Sequence, residues 1–301
     1  MVLKKLTAVA VSAALIFSLS SCATRHNAED AGKMQVAVTF NAMKQFAQAV
    51  GRDKIAVYTV IPDGTEPHDF EVKAKDLVQI GNAKVFVYSG MGMEAWVSSA
   101  LSSVGNGKLV ACDASKGIKP IVDTGSAEST EHGQYDPHVW ISLKSAETET
   151  RNITVALTKA DPKNRTFYNK NASAYIRQLQ ALYTNYKGKF KALNKKNFVT
   201  GHAAFAYLCR DFGLSQNSVE DVFAEGEPSA KRLRELIDYC KQKKVKTVFV
   251  ETMVSPAVSK TLASSVGARV ETIYTIESSE GGKSYLDRMK QNLREIYDSL
   301  K

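Results

Sequence analysis

Cysteine is scarce in this chain of 301 residues, which contains four: Cys22, Cys112, Cys209 and Cys240. No two of them form a CxxC pair, so the sequence excludes a zinc ribbon built on thiolates. Apart from Cys22, which lies near the N-terminus, an odd number of widely spaced cysteines remains. A disulfide between Cys209 and Cys240 and a set of three buried free thiols are both compatible with this pattern.

The chain also lacks the motifs of common catalytic and nucleotide-binding sites. It has no HExxH helix, no nucleophile elbow and no P-loop, so it cannot hydrolyse ATP itself. Lys and Arg (40) outnumber Asp and Glu (31), giving a net charge of +9, but the basic residues are interleaved with acids and accompany no RNA- or DNA-binding motif. These features count against an enzyme and against a nucleic-acid partner, and we expect a monomer.

Long apolar runs are rare as well, and the clearest one occupies residues 6–19, directly after Lys4 and Lys5. A basic segment followed by a short apolar run is typical of a secretory signal, and it is too short to span a bilayer comfortably. The run ends in LSSC at 19–22, which resembles the lipobox of bacterial lipoproteins. We predict a lipoprotein signal peptide at 1–21, a lipid-modified Cys22 and a polar tether at 22–34. The chain is then extracytoplasmic and anchored to the bacterial cell membrane; an ordinary secretory signal with an incidental cysteine is the alternative.

Short apolar runs alternate with helical patterns along the rest of the chain. We predict strands at residues 35–39, 55–61, 84–88, 109–112, 197–200, 218–223 (a strand or a loop edge), 247–250 and 270–275. Unbroken apolar strands separated by helices indicate the α/β class, with mainly parallel sheets covered by helices on both faces. A helical pattern near 166–193 would be about 40 Å long. We predict two metal-binding lobes at 35–164 and 195–301, joined by a rigid linking helix at 165–194.

Histidine is also scarce, with five residues in the chain. His26 lies in the predicted tether, and His132 lies in a polar, acidic loop. The other three, His68, His138 and His202, each lie in a loop beside the end of a predicted strand or the start of a helix, where open α/β sheets bind ligands. Three imidazoles in such places, from both halves of the chain, are hard to explain by packing. Together with a carboxylate they would complete the tetrahedral shell that Zn²⁺ prefers.

Several stretches resemble the zinc- and manganese-binding solute receptors of ABC importers, a branch of the periplasmic-binding-protein superfamily. They are VYTVIPDGTEPHDFE at 57–71, YSGMGMEAW at 88–96, DPHVW at 136–140, TGHAAF at 200–205, EPSA at 227–230 and FVE at 249–251. The stretches cover nearly all of the mature chain in the family's order. The resemblance implies two α/β lobes joined by a long helix, a metal ion in the cleft between them, and delivery of that ion to the permease of an ABC transporter.

The resemblance also implies a set of ligands. Two positions, matching His68 and His138, belong to the first lobe, and the third, matching His202, belongs to the second. Manganese-selective members tend to carry glutamate at the third position, so histidine there favours Zn²⁺ over Mn²⁺. The family's usual fourth ligand is an aspartate in a Leu-Asp-Pro-Leu context, whereas this chain has IYTIES at 273–278. We choose Glu277 as the fourth ligand, with Glu251 or solvent as alternatives.

Acidic residues close to these ligands are candidates for orienting the imidazoles, because a ligating histidine usually donates its second N–H to a carboxylate or carbonyl. The candidates are Glu66, Asp69, Asp136 and Glu251. Each of the first three could equally cap a turn. Three functions remain as alternatives to a zinc receptor: a manganese receptor of the same family, a surface adhesin with bound metal, and a zinc hydrolase. The hydrolase requires an open coordination position for water, which Glu277 would close.

Overall fold

The computed structural model describes residues 32–122, 134–222, 229–253 and 255–301. The predicted signal peptide, Cys22, nearly all of the tether, His132 and the EPSA motif up to residue 228 lie outside these ranges. Within the described ranges we find no helical segment with the length and hydropathy that a membrane span requires.

The first half of the described chain forms a sheet of four parallel strands in the order β2-β1-β3-β4. The strands are β1 (Met34–Val38), β2 (Ile55–Thr59), β3 (Val85–Tyr88) and β4 (Val110–Asp113), and the helices between them are α1 (Asn41–Gly51), α2 (Ala74–Asn82) and α3 (Val97–Val104). Val36 pairs with Val57 and with Val85 on the two neighbouring strands. Val36 and the adjacent Ala37 belong to different hydrophobic clusters, because alternate residues of a strand point to opposite faces. Both faces of the sheet are therefore covered.

The second half repeats this arrangement with a different sequence. Its strands are β5 (Asn197–Thr200), β6 (Ser215–Ser218), β7 (Thr247–Val250) and β8 (Arg269–Thr272), with helices α6 (Ala206–Phe212), α7 (Ala230–Lys243) and α8 (Ala257–Val266). All strand pairs are parallel and the order is β6-β5-β7-β8, the same topology as in the first sheet. The prediction of mainly parallel sheets flanked by helices is confirmed.

One strand lies elsewhere than the sequence suggested. The prediction placed it at 218–223, but β6 occupies Ser215–Ser218, and the chain bends directly after it. This strand has the sequence SQNS and lies at the edge of its sheet, where it pairs with β5 on one side. An edge strand with few apolar contacts needs no hydrophobic pattern. The strand was therefore predicted at the apolar residues that follow it.

A long helix, α5 (Arg165–Ala192, 28 residues), separates the two strand systems in sequence. It follows α4 (Leu143–Ala160) and is roughly 42 Å long. Phe190 near its end packs on Phe212 of the second half at 5.1 Å between ring centroids. The last helix, α9 (Tyr285–Ser299), then returns to the first half, where Tyr285 packs on Phe46 of α1 at 4.7 Å. As a result one hydrophobic cluster contains residues from both halves.

The three cysteines of the described chain are free thiols. Cys112, Cys209 and Cys240 are all buried, with at most 7% of their surface exposed. The alternative of a disulfide between Cys209 and Cys240 is therefore not realised in the structure. Burial raises the pKa of the Cys112 thiol to about 12 and that of Cys240 to about 11.

Candidate metal site

The three histidines singled out by the sequence meet in the interior. His68 lies in the loop after β2, His138 in the loop after β4, and His202 two residues beyond β5. Parallel strands place the loops at their carboxyl ends on one edge of a sheet, and here the loops of both sheets supply side chains to one place. All three histidines are buried, and His138 has no exposed surface.

The spacing of the ring nitrogens suits a single metal ion. The Nε2 atoms of His68 and His138 are 3.2 Å apart. Each of the three histidines offers a ring nitrogen within 4.8 Å of the others. Two nitrogens bound to a tetrahedral Zn²⁺ at the usual bond length are roughly 3.3 Å apart. The first pair is therefore at the required distance, and His202 needs a small displacement at most.

His138 is oriented by Asp136. The ring Nδ1 and the backbone N–H of His138 both lie 2.8 Å from Oδ1 of Asp136. With Nδ1 donating its proton to the carboxylate, the Nε2 lone pair is directed at the other two histidines. The contact expected for Asp136 is present. Asp136 in turn is held by Tyr207 of α6, whose hydroxyl donates to the Asp136 carbonyl at 2.8 Å.

His202 is held by the backbone of the second half. Its Nε2 lies 2.7 Å from the carbonyl oxygen of Val222, to which it donates, so Nδ1 is the nitrogen left for a metal in this conformation. Burial, together with the nearby His138, lowers the pKa of His202 to about 3. A neutral imidazole is the form that binds metal, so His202 is ready for binding at neutral pH.

The two candidate carboxylates have different positions. Glu277 lies beside the histidines, with Oε1 4.0 Å from Nε2 of His138 and with Oε2 accepting a hydrogen bond from the Thr275 hydroxyl at 2.6 Å. Glu251 follows β7 and lies behind His202, where its Oε1 accepts from the His202 backbone N–H at 3.2 Å. Burial raises the pKa of Glu251 to about 8, so it is mostly protonated at neutral pH. The geometry therefore favours Glu277 as the fourth ligand and Glu251 as a support for the His202 loop.

The remaining acidic candidates lie toward the surface. Glu66 is half-buried, and one of its carboxylate oxygens lies within 4.8 Å of the ligand atoms that His68 and Glu277 offer. Burial raises the pKa of Glu66. Asp69 is exposed and belongs to neither of the two potential metal-binding groups found in the described chain.

Two groups that contact the candidate ligands, the Val222 carbonyl and the Thr275 hydroxyl, were not among the predicted site residues. The Val222 carbonyl could not be found from sequence, because every residue carries such an acceptor and its direction depends on the fold. Thr275 was also missed, although a hydroxyl two residues before a candidate carboxylate ligand was a usable signal.

Two parallel sheets of the same topology, with three buried imidazoles where their loops meet, define an α/β metal-binding protein. The chain belongs to the zinc-uptake complex component A family, a periplasmic family whose model matches residues 36–299. This confirms the family resemblance seen in the sequence.

Individual relatives show the same similarity. The chain is 39% identical to the high-affinity zinc uptake system protein ZnuA of Bacillus subtilis (strain 168) over 315 residues, covering 99% of this chain and 98% of that protein. The structure of the laminin-binding protein Lmb of Streptococcus agalactiae, described as bifunctional with adhesin and metal-transporting activity, is similar at a TM-score of 0.82 and 34% identity, covering 89% of this chain and 100% of that one. The metal-dependent lipoprotein YcdH of Bacillus subtilis is similar at a TM-score of 0.77 and 39% identity, covering 89% and 99%.

Proposed function

We propose that this protein captures Zn²⁺ outside the cytoplasm and delivers it to the permease of an ABC importer. The observation that carries the proposal is the convergence of three buried imidazoles, two of them with Nε2 atoms 3.2 Å apart. Membership of a zinc-uptake family supports it, as does the similarity to a zinc uptake protein along almost the entire chain.

In this proposal the ion is held by His68, His138, His202 and Glu277. Three neutral nitrogen donors and one carboxylate match the preferred shell of Zn²⁺, whereas Mn²⁺ favours more oxygen ligands. We therefore place zinc ahead of manganese as the transported ion. Four protein ligands also leave no position for an activated water, which supports a binding protein over a zinc hydrolase.

Metal analysis of the purified protein beside two histidine variants tests the ligand set. We expect one equivalent of zinc in the wild type and at least a hundredfold lower affinity in His202→Ala, measured by competition with a chelator. His132→Ala is the control, because this histidine lies in the acidic loop and is not among the proposed ligands. Equal zinc affinity in His202→Ala and the wild type would exclude the site, and tighter binding of manganese than zinc would reverse the proposed selectivity.

The proposal includes a lipid anchor on Cys22 and a permease partner. The lipobox-like LSSC sequence at 19–22 supports the anchor, and the similarity to a lipoprotein agrees with it. Replacement of Cys22 by serine should release the protein from the membrane fraction and abolish incorporation of labelled fatty acid. For the partner, cells that lack this chain should take up radioactive zinc more slowly, and the wild-type chain should restore uptake while His202→Ala should not.

A direct assay tests the proposal that the protein is not an enzyme. Zinc-loaded protein should hydrolyse generic esters and peptides no faster than the His202→Ala variant. A zinc-dependent rate above that background would establish a catalytic function.

Adhesion is a second candidate, favoured by the similarity to a laminin-binding protein with adhesin activity. An adhesin function predicts saturable binding to immobilised laminin that coexists with zinc capture. Absence of saturable laminin binding by the zinc-loaded protein would remove this candidate and leave metal capture as the function.

A further inference from the structure

The segment that carries Glu277 is fixed at almost every residue. It comprises residues 274–279, between β8 and α9. The Asn292 side chain of α9 accepts from the Tyr274 N–H at 3.0 Å and donates to the Tyr274 carbonyl at 2.7 Å. The Trp140 indole N–H donates to the next carbonyl, that of Thr275, at 2.7 Å. These bonds hold the first part of the segment.

In the second part of the segment, three backbone carbonyls accept hydrogen bonds from Asn41. The Asn41 side-chain amide donates to the carbonyls of Ile276, at 3.4 Å, and Ser278, at 2.8 Å. Its backbone N–H donates to the carbonyl between them, that of Glu277, at 3.1 Å. Asn41 is buried, with 3% of its surface exposed, and is the first residue of α1. Three consecutive carbonyls therefore depend on one buried asparagine.

The conformation of the segment explains why such support is needed. Ile276 has a backbone φ of +64°, in the left-handed region that β-branched residues strongly disfavour. Its side chain is completely buried. A residue held in this region costs roughly 1–3 kcal/mol and persists where the surrounding structure enforces it. Ile276 immediately precedes Glu277, so its backbone conformation sets the direction in which the Glu277 side chain leaves the chain.

We propose that Asn41 is a positioning residue of the metal site: its side-chain amide holds residues 276–278 in the conformation that directs the Glu277 carboxylate at the histidines. The proposal deepens the zinc-binding function proposed above and rests on it, because it takes Glu277 as a ligand. Asparagine suits the task because its amide nitrogen carries two N–H groups, one for each carbonyl. Aspartate has the same shape but no such donor.

The same bonds tie Glu277 to the first half of the protein. Asn41 follows β1, and the His68 loop contributes two further bonds, from the Gly64 N–H to the Ser278 hydroxyl at 2.9 Å and from the Ser279 N–H to Asp63 Oδ1 at 2.9 Å. Glu277 comes late in the sequence, yet it is fixed to the elements that carry His68 and His138. Loss of the Asn41 side chain should therefore affect the carboxylate and leave those two imidazoles in place.

A double-mutant cycle tests the proposal in the full-length protein. Zinc affinity is measured by chelator competition for the wild type, Asn41→Ala, Glu277→Ala and the double variant. Loss of a residue that orients a metal ligand typically weakens metal binding 10- to 100-fold, so we expect about tenfold weaker binding in Asn41→Ala. In the Glu277→Ala background the same change should cost less than about twofold, because there is no carboxylate left to position.

Asn152→Ala provides a matched control. The Asn152 side-chain amide also donates to two carbonyls two residues apart, those of Ala114 at 2.8 Å and Lys116 at 2.9 Å. That turn follows β4 and carries none of the four proposed ligands. We expect Asn152→Ala to retain wild-type zinc affinity within about twofold while losing a comparable pair of hydrogen bonds.

Equal losses of affinity from Asn41→Ala in both backgrounds would overturn the proposal, since Asn41 would then act on the site as a whole. Wild-type affinity in Asn41→Ala would overturn it as well. Failure of the proposed function looks different: the wild type itself would bind no stoichiometric zinc, or Glu277→Ala would bind zinc as tightly as the wild type.

Spectroscopy separates positioning from a general loss of stability. Co²⁺ in place of Zn²⁺ reports the number and type of its ligands through its visible absorption. In Asn41→Ala and in the isosteric Asn41→Asp we expect the spectrum to shift toward that of Glu277→Ala, whereas Asn152→Ala should keep the wild-type spectrum. If Asn41→Ala does not fold, the cobalt spectrum is measured in Asn41→Asp and Asn41→Ser instead. A wild-type cobalt spectrum in a folded Asn41 variant would contradict the proposal.

Discussion

The carboxylate of Asp136 accepts two hydrogen bonds from His138, one from the ring Nδ1 and one from the backbone N–H, both at 2.8 Å. Both residues are buried, with no more than 2% of their surface exposed. The contact fixes the tautomer and the rotation of the ring, and it places a negative charge behind a nitrogen ligand, which increases the basicity of Nε2. The protein itself therefore sets the orientation of His138, through Asp136.

We predict that Asp136→Asn weakens zinc binding by about 10- to 100-fold, because the amide can still accept a hydrogen bond but no longer carries the charge. Competition with a chelator at constant pH measures the effect. Asp161→Asn is a suitable control, since the Asp161 carboxylate accepts from Asn164 and Tyr168 at the start of the long helix instead of from a histidine. Equal affinities in Asp136→Asn and the wild type would show that the charge has no role in binding.

The second prediction concerns the close approach of Gly201 to Glu251. A Cβ atom on residue 201 would lie 2.5 Å from Oε2 of the buried Glu251. Glu251 supports the backbone of His202, so the clash would be transmitted to a ligand. We predict that Gly201→Ala destabilises the metal-free protein by roughly 1–3 kcal/mol and weakens zinc binding.

Thermal unfolding and chelator competition measure the two effects. Gly107→Ala is the control, because a Cβ there would meet nothing within 4 Å. If Gly201→Ala kept both wild-type stability and wild-type affinity, the packing of Glu251 against the His202 loop would be looser than the structure indicates.

The third prediction concerns pH. The pKa of His202 is lowered to about 3 by burial, whereas that of the unfolded chain is near 6.5. Between these values the unfolded state binds a proton that the native state does not, so the free energy of unfolding of the metal-free protein should fall as the pH decreases through this range. The contribution of His202 has a slope of at most about 1.4 kcal/mol per pH unit.

The His202→Gln variant should lack this contribution, since its amide can donate to the Val222 carbonyl but does not titrate. Denaturant unfolding of both proteins from pH 3.5 to pH 7, with a metal chelator present, gives the comparison. The difference in the free energy of unfolding between wild type and variant should grow in favour of the wild type as the pH rises. A difference independent of pH would mean that His202 has the same pKa in the folded protein as in the unfolded chain.

The fourth prediction concerns the thiols. Cys112, Cys209 and Cys240 are buried and unpaired, and burial raises the pKa of each. Because the thiolate is the reactive form, the folded Cys22→Ser variant should react with a disulfide reagent at least tenfold more slowly than the denatured protein, which should release three thiols. Release of one thiol under denaturing, non-reducing conditions would instead demonstrate a disulfide.

Much of the fold was accessible from sequence, because buried parallel strands are short unbroken apolar runs. Seven of the eight predicted strands share at least three residues with strands of the structure, from Met34–Val38 to Arg269–Thr272. The exception, Ser215–Ser218, is a polar edge strand. His68, His138 and His202 could be selected because histidine is rare in this chain and these three lie at the ends of predicted elements.

The path of the C-terminal segment could not be predicted. The prediction assigned residues 195–301 to the second lobe, whereas Tyr285 of the last helix packs on Phe46 and donates a hydrogen bond to the Trp140 carbonyl, both in the first half. These contacts join residues far apart in sequence and follow no periodicity. The role proposed for Asn41 was hidden for the same reason, since its partners lie more than 200 positions away.

The sequence by itself determined the class of fold and singled out the three imidazoles, because both depend on residue type and local pattern, and the family resemblance favoured zinc over manganese. The tertiary structure decided which carboxylate faces the histidines and what holds it there. Glu251 and Glu277 both follow strands of the second sheet, and they differ in their surroundings. Glu251 is enclosed behind the His202 loop. Glu277 is directed at the site by a backbone segment that the first half of the protein holds in place.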